Sequence, residues 1–120
     1  KYYLNEIGIR HALLGYREAD IGGILENIVF LELKRRGYSV SIGKLGEREI
    51  DFIATRQNEK IYIQVAYLLG SAETIEREFG VLKSIPDNYP KYVLTLDDVF
   101  GEDFEGIRRI NLIDFLLSEF

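Results

Sequence analysis

The strongest constraint on the fold is a change of hydrophobic period at Gly37. Residues 20–36 carry apolar side chains around most of a helix, whereas the segments that follow alternate apolar and polar residues as β-strands do. Asp20 is predicted to cap the helix and Gly37 to end it. Because the polar positions form only a narrow wedge, we expect the helix to be largely buried, Phe30 included.

The remaining pattern predicts a mixed α/β architecture. Three strands should form a turn-connected run, followed by a helix, a strand, an acidic turn-like segment at 97–106, a strand and a closing helix. The predicted order is αβββαββα, which favours a central mixed sheet flanked by helices. The predicted strands are 38–42, 49–55, 61–67, 91–96 and 107–112, and the later helices are 71–85 and 113–120.

Composition narrows the class of protein. The chain has 120 residues, of which 47% are hydrophobic, as expected for a single domain. Absence of cysteine is compatible with a reducing cytoplasm, and no apolar run predicts a membrane span or secretory leader. The net charge of −5 argues against strong non-specific DNA binding. Basic groups that the fold could still cluster are Arg10-His11, Arg17, residues 34–36 and Arg108-Arg109, although solvated charges are the commoner outcome.

One helix residue stands out. Glu26 shares a helix surface with Val29, Phe30 and Leu33. A carboxylate on an apolar surface is costly unless a cation, a metal or a hydrogen-bond donor meets it. Glu26 therefore either serves a site, pairs with an arginine, or reaches water.

A second carboxylate lies on a predicted strand. Alternation places Ile50, Phe52 and Ala54 on one face of that strand, and Asp51 on the other. A short hairpin at 57–60 would bring Asp51 opposite residues 64–66. Glu26, Asp51 and Gln64 could then converge, and their oxygens are ligands that Mg²⁺ or Mn²⁺ accept.

These segments resemble a known superfamily. GILEN at 23–27, EIDF at 49–52 and IQVA at 63–66 are similar to the PD-(D/E)XK nuclease core. DNYPKYVL at 87–94 and INLIDFL at 110–116 are similar, more specifically, to the uncharacterised C-terminal domain of prokaryotic AAA-type ATPases. The resemblance covers most of the chain from Tyr2 onward. It implies a three-layer restriction-endonuclease-like fold over 1–120, at the C-terminal end of a longer ATPase-family protein.

The resemblance also implies residue roles. Glu26 matches the helix glutamate and Asp51 the metal-binding aspartate, whereas Gln64 takes a position usually held by Glu or Asp. Ala66 stands where the superfamily has its catalytic lysine, and Lys44 is the nearest substitute. A neutral Gln64 weakens metal affinity, and Ala66 supplies no cation. No GxxxxGK[ST] phosphate loop occurs, so nucleotide binding would reside elsewhere in the parent protein.

The sequence therefore predicts a degenerate nuclease-like accessory or binding domain, catalytically weak or inactive, in the cytoplasm. Its expected partners are its own upstream ATPase domain, nucleic acid or a second copy, with no membrane. One alternative is a Mg²⁺-dependent DNA or RNA nuclease with a relocated lysine. Another is a dimerisation or regulatory domain without nucleic-acid contact, in which Glu26 and Asp51 pair with arginines such as Arg48.

Overall fold

The computed structural model describes residues 13, 15–70, 72–97, 103–104 and 106–118. Arg10 and His11 lie outside the described residues, as does most of the acidic segment at 97–106. The elements are α1 (Glu18–Arg35), β1 (Ser39–Leu45), β2 (Arg48–Arg56), β3 (Glu59–Ala66), α2 (Ala72–Lys83), β4 (Lys91–Thr95), β5 (Asp103–Phe104), β6 (Ile107–Asn111) and α3 (Leu112–Leu117).

The strands form one mixed sheet in the order β1-β2-β3-β4-β6-β5. β1, β2 and β3 are an antiparallel meander, β4 lies parallel to β3, β6 lies parallel to β4, and β5 is antiparallel to β6. The parallel pairing of β3 and β4 requires a crossover, which α2 supplies. The predicted mixed α/β architecture is confirmed. The two-residue β5 is an addition to the predicted order.

The two faces of the sheet bury separate hydrophobic cores. Along β3, Ile61, Ile63 and Val65 pack with α1 and α3, whereas Tyr62 and Ala66 pack with α2. Successive side chains of a strand point to opposite faces, so α1 and α3 cover one face and α2 covers the other. The result is a layer of helix on each side of the sheet.

Helix α1 differs from its prediction at its start and in its burial. It begins at Glu18 after Arg17, so the predicted cap at Asp20 is wrong, while Gly37 follows the helix with φ of 89° as expected of a helix stop. The prediction that the helix is largely buried, Phe30 included, is also wrong, because Phe30 is 37% exposed. A helix that covers one sheet face buries only the stripe facing the sheet. That stripe is Leu25, Val29 and Leu33.

No helix within the described ranges has both the length and the apolar character that crossing a lipid bilayer requires.

A bulge in β2 corrects the predicted assignment of faces. Between the pairs Ser41–Ile53 and Gly43–Ile50, β2 advances by three residues and β1 by two. The extra residue reverses the alternation, so Ile50 packs with the α2 core while Phe52 packs with the α1 core. A Cβ on Gly43 would lie 2.5 Å from the Ile53 Cδ1 atom, so glycine allows β1 to approach the bulged strand.

A polar network closes the carboxyl ends of β4 and β6. The Asp97 Oδ2 atom accepts from Leu69 N at 2.6 Å, and Thr95 Oγ1 lies 3.1 Å from it. Asn111 Nδ2 donates to Asp97 O, and Asn111 Oδ1 caps α3 by accepting from two backbone amides. We call Thr95, Asp97 and Asn111 the end network. It joins the two parallel strands to the helix that follows.

Candidate functional site at the fork between β2 and β3

The site begins where two paired strands separate. β2 and β3 pair from Arg56–Glu59 to Phe52–Ile63, and the next residues are Asp51 and Gln64. Here side-chain acceptors take the place of backbone hydrogen bonding between the two strands. Asp51 N donates to Gln64 Oε1 at 2.7 Å, and Val65 N donates to Asp51 Oδ2 at 2.8 Å. We call these two bonds the fork clasp. They satisfy backbone amides that the divergence of the strands would leave without partners.

The clasp confirms that the hairpin brings Asp51 beside Gln64. Gln64 is only 4% exposed, so its oxygen is buried, and loss of this hydrogen bond would leave a buried polar atom without a partner and lower the stability of the fold. One oxygen of Asp51 and the amide oxygen of Gln64, two of the three predicted metal ligands, are therefore bound to backbone amides. This role was not predicted, because it depends on where the two strands separate.

Ala66, where the resemblance predicts a lysine, lies inside the apolar core. Ala66 is 8% exposed and packs in the α2 core with Leu69 and Phe79. A lysine here would have to extend its stem along apolar side chains before its ammonium met solvent. Lys44 is exposed, and its Cα partner across the sheet is Glu49.

A cleft of about 280 Å³ opens beside the fork clasp. It lies between β2, β3 and α2, and three carboxylates and two guanidinium groups line it. The lining residues are Arg48, Glu49, Asp51, Gln64, Arg77, Glu78 and Val81.

Sequence reasoning missed Glu78. It lies three residues after Ile75 and four before Leu82, both of which pack in the α2 core. The spacing that singled out Glu26 therefore also applied to Glu78. The signal was present in the sequence, but it could not tell which helix face the cleft would use.

Burial and mutual repulsion shift the carboxyl groups of the cleft. Desolvation is the largest cause that raises the pKa of Asp51 to about 6; the hydrogen bond from the Val65 amide opposes it, and repulsion from Glu26 and Glu49 adds smaller increases. Desolvation, followed by repulsion from Asp51 and Glu26, raises the pKa of Glu78 to about 7, and Arg77 opposes this. Desolvation and repulsion from Glu49 also raise the pKa of Glu26. Four carboxylates from three elements thus repel one another.

The arginines of the cleft offset the charge of these acids only in part. A Cβ atom added to Gly80 would lie 3.1 Å from Arg48 Nη2. The absence of a side chain at Gly80 therefore allows the guanidinium to contact α2. The Arg77 Nε atom is 3.9 Å from Glu78 Oε1, a weak contact. No ion pair among the described residues joins Arg48 to Glu26 or Asp51, so the predicted pairing with Arg48 is wrong.

Metal ligation stays a prediction. Glu26 and Asp51 are close enough to influence each other's charge, and Gln64 contacts Asp51. Within the ranges that the structure describes, no group of three acidic or imidazole side chains is arranged to hold a metal ion.

The basic run at 34–36 is engaged elsewhere. The Arg36 side chain is 7% exposed, binds Glu32 at 2.7 Å, and donates to the carbonyl oxygens of Phe115 and Ser118. Arg35 also binds Glu32, at 2.6 Å. These contacts tie the end of α1 to α3. Two of the three charges therefore have structural partners, which reduces what this run could offer to phosphates.

Comparison with known proteins gives relatives without a stated activity. No family model matches the chain. The chain is 41% identical over 118 residues to an uncharacterised protein of Haemophilus influenzae, covering 98% of this chain and 29% of that protein. It is 35% identical over 102 residues to an uncharacterised protein of Methanocaldococcus jannaschii, covering 78% of this chain and 21% of that protein. The chain spans less than a third of either relative.

Proposed function

We propose that this chain is a degenerate nuclease-like accessory domain that binds a partner at the cleft and does not cleave phosphodiesters. The observation that carries the proposal is the fork clasp. Asp51 Oδ2 and Gln64 Oε1, one oxygen on each of two predicted metal ligands, accept hydrogen bonds from Val65 N and Asp51 N. The pair that resembles a catalytic centre acts as a structural connection between two strands.

The chemistry of hydrolysis explains why this matters. Metal-assisted cleavage needs oxygen ligands free to hold the ion and a cation that stabilises developing negative charge. Gln64 has a neutral oxygen, already engaged, and Ala66 is buried among apolar side chains. The cleft retains the shape of a binding site while lacking the usual set of catalytic groups.

The topology and the length of the relatives support the proposed context. An antiparallel meander, a crossover helix and a strand parallel to β3 are compatible with a restriction-endonuclease-like core. Because the chain covers 29% and 21% of two relatives, those proteins contain much additional sequence. We propose that the parent protein is an AAA-type ATPase-family protein and that the domain docks on its ATPase region.

Cleavage is tested first, on supercoiled DNA and structured RNA in millimolar Mg²⁺ or Mn²⁺. The wild-type chain, Asp51→Asn and the control Asp114→Asn, an exposed position on α3, are expected to give the same background rate. Cleavage that Asp51→Asn abolishes and Asp114→Asn preserves would contradict the proposal.

Binding is tested separately by calorimetric titration. The chain is titrated into the region of the Haemophilus influenzae relative that it does not cover. We expect micromolar binding that Arg77→Glu weakens, because Arg77 lines the cleft. Arg17→Glu is the matched control, since the Arg17 side chain is 85% exposed outside the cleft. Heat-silent mixing at high concentration, or equal effects of the two variants, would argue against docking at this surface.

A nuclease with a relocated cation is the second candidate. The supporting observation is that Arg48 and Arg77 line the same cleft as Asp51. An arginine can stabilise phosphate charge, although it cannot act as a proton donor in the way a lysine can. If any Asp51-dependent cleavage is detected, Arg48→Ala, Arg77→Ala and Lys44→Ala distinguish the three possible cations. Loss with Arg48→Ala alone would assign the role to Arg48.

A further inference from the structure

β1 is an outer strand of the sheet, and within the part of the chain that the structure describes it pairs on one side only. It spans seven residues, pairs with β2, and contains no proline and one charged residue, Lys44. An outer strand presents unpaired backbone amides and carbonyls that can accept another strand. Proteins usually protect such an edge with prolines, charges or shortness, and β1 has little of this protection.

The centre of β1 carries the most exposed large apolar side chain in the described residues. Ile42 is 73% exposed, compared with 37% for Phe30 and 57% for Leu31. It has no Cα partner on β2, because the register shift falls between Ser41 and Gly43. Ile42 therefore lies on an open strand edge opposite the bulge, with most of its side chain exposed to solvent.

We propose that two copies of this chain pair through β1, antiparallel about a two-fold axis at Ile42. In this register Ile42 faces Ile42, Ser41 faces Gly43, and Val40 faces Lys44. The contact is isologous, since each strand offers the same surface to the other. It would extend the six strands of each copy into one continuous sheet.

Charge and side-chain size favour a second copy as the occupant. The two Lys44 side chains would lie four residues apart along the ribbon, about 14 Å, where screening removes most of their repulsion. Ser41 and Gly43, which would pair on the opposite face of the ribbon, are small and bring no steric conflict there. Strand length and twist match automatically between identical edges. Pairing through β1 is independent of what the cleft binds.

Sedimentation measures the assembly of the intact chain over a wide concentration range. We expect a reversible dimer of twice the 13.9 kDa chain mass. Ile42→Lys places two ammonium groups at the axis and should raise the dimer dissociation constant about 100-fold or more. Leu117→Lys, at a 62% exposed leucine on α3, is the matched control and should leave assembly unchanged. Circular dichroism confirms that both variants fold.

A cysteine gives an independent readout, because the chain has none of its own. Directly opposed residues of an antiparallel pair have Cβ atoms close enough for a disulfide to be tested. Ile42→Cys should form an intermolecular disulfide at least tenfold faster than Leu117→Cys under mild oxidation. A monomer at hundreds of micromolar, a dimer that survives Ile42→Lys, or equal crosslinking rates would each overturn the proposal.

Discussion

The fork clasp and the end network are both polar groups set among apolar ones, but they differ in how their charges are met. In the end network, Asp97 receives the Leu69 amide and lies beside the Thr95 hydroxyl, while Asn111 uses both ends of its side chain. At the fork, Asp51 receives one amide and stands near Glu26 and Glu49, and its pKa rises to about 6.

The difference separates a structural role from a candidate functional one. A buried polar network whose members all have partners stabilises one conformation. A group of carboxylates that repel one another costs stability, and such groups concentrate at binding and catalytic sites. The end network is therefore interpreted as a joint between strands and helix. The cleft beside the fork is interpreted as a binding surface whose carboxylate repulsion a bound partner would reduce.

The largest effect is expected from breaking the end network. Asn111→Leu removes the cap of α3 and the bond to Asp97, and should lower the free energy of unfolding by about 2–4 kcal/mol. Gln64→Leu removes one bond of the fork clasp and should cost about 1–2 kcal/mol. Urea unfolding measures both. Equal losses in the free energy of unfolding would show that the fork clasp stabilises the fold as much as the end network does.

The second effect is a dependence of stability on pH. Asp51 and Glu78 have folded pKa values of about 6 and about 7, above the values of about 4 that carboxyl groups have in an unfolded chain. Between these values the folded chain binds more protons than the unfolded one. Their contribution to stability is therefore lost as pH rises from about 4 to about 7.

Comparison of variants isolates this contribution. The free energy of unfolding of Asp51→Asn, minus that of wild type, should increase by about 1–2 kcal/mol as the pH rises from 4 to 8. This figure allows for screening by solvent. Glu78→Gln should change in the same direction. Chemical unfolding across this range provides the measurement, and Asp114→Asn is the control. A variant difference that is flat with pH would place Asp51 outside a repulsive cluster.

A third, smaller effect tests whether the fork can be converted into a metal site. Gln64→Glu keeps an acceptor for the Asp51 amide and adds a negative oxygen beside Asp51. Mn²⁺ at ten times its dissociation constant should stabilise this variant by about 1.4 kcal/mol, and wild type by less. Thermal unfolding measures the gain, and the double variant with Asp51→Asn should lose it. Equal stabilisation of wild type would mean that Gln64 already supports metal binding.

The smallest effect is expected at Lys44. It is exposed and does not line the cleft, so Lys44→Ala should change stability by less than about 0.5 kcal/mol. It should also leave the pKa of Asp51 unchanged, as followed by nuclear magnetic resonance of the carboxyl carbon. A clear rise in that pKa would place the ammonium near the cleft and revive Lys44 as the relocated cation.

Much of the site could be found from residue patterns. Glu26 and Asp51 stood out because charge on an apolar surface demands a partner, and the short hairpin placed Gln64 beside Asp51. Glu78 could have been found by the same spacing argument. The fork clasp could not, because it depends on where two strands stop pairing.

The sequence by itself determined the type and order of the main elements, because helices and strands impose different hydrophobic periods on the chain. It also determined that Ala66 cannot supply a cation. Only the tertiary structure decided which face each residue occupies, since a single extra residue in β2 reversed the alternation of Ile50 relative to Phe52. It likewise decided that Gln64 binds a backbone amide and that Arg48 rests on α2. Such contacts join residues distant in the chain, and local pattern carries no information about them.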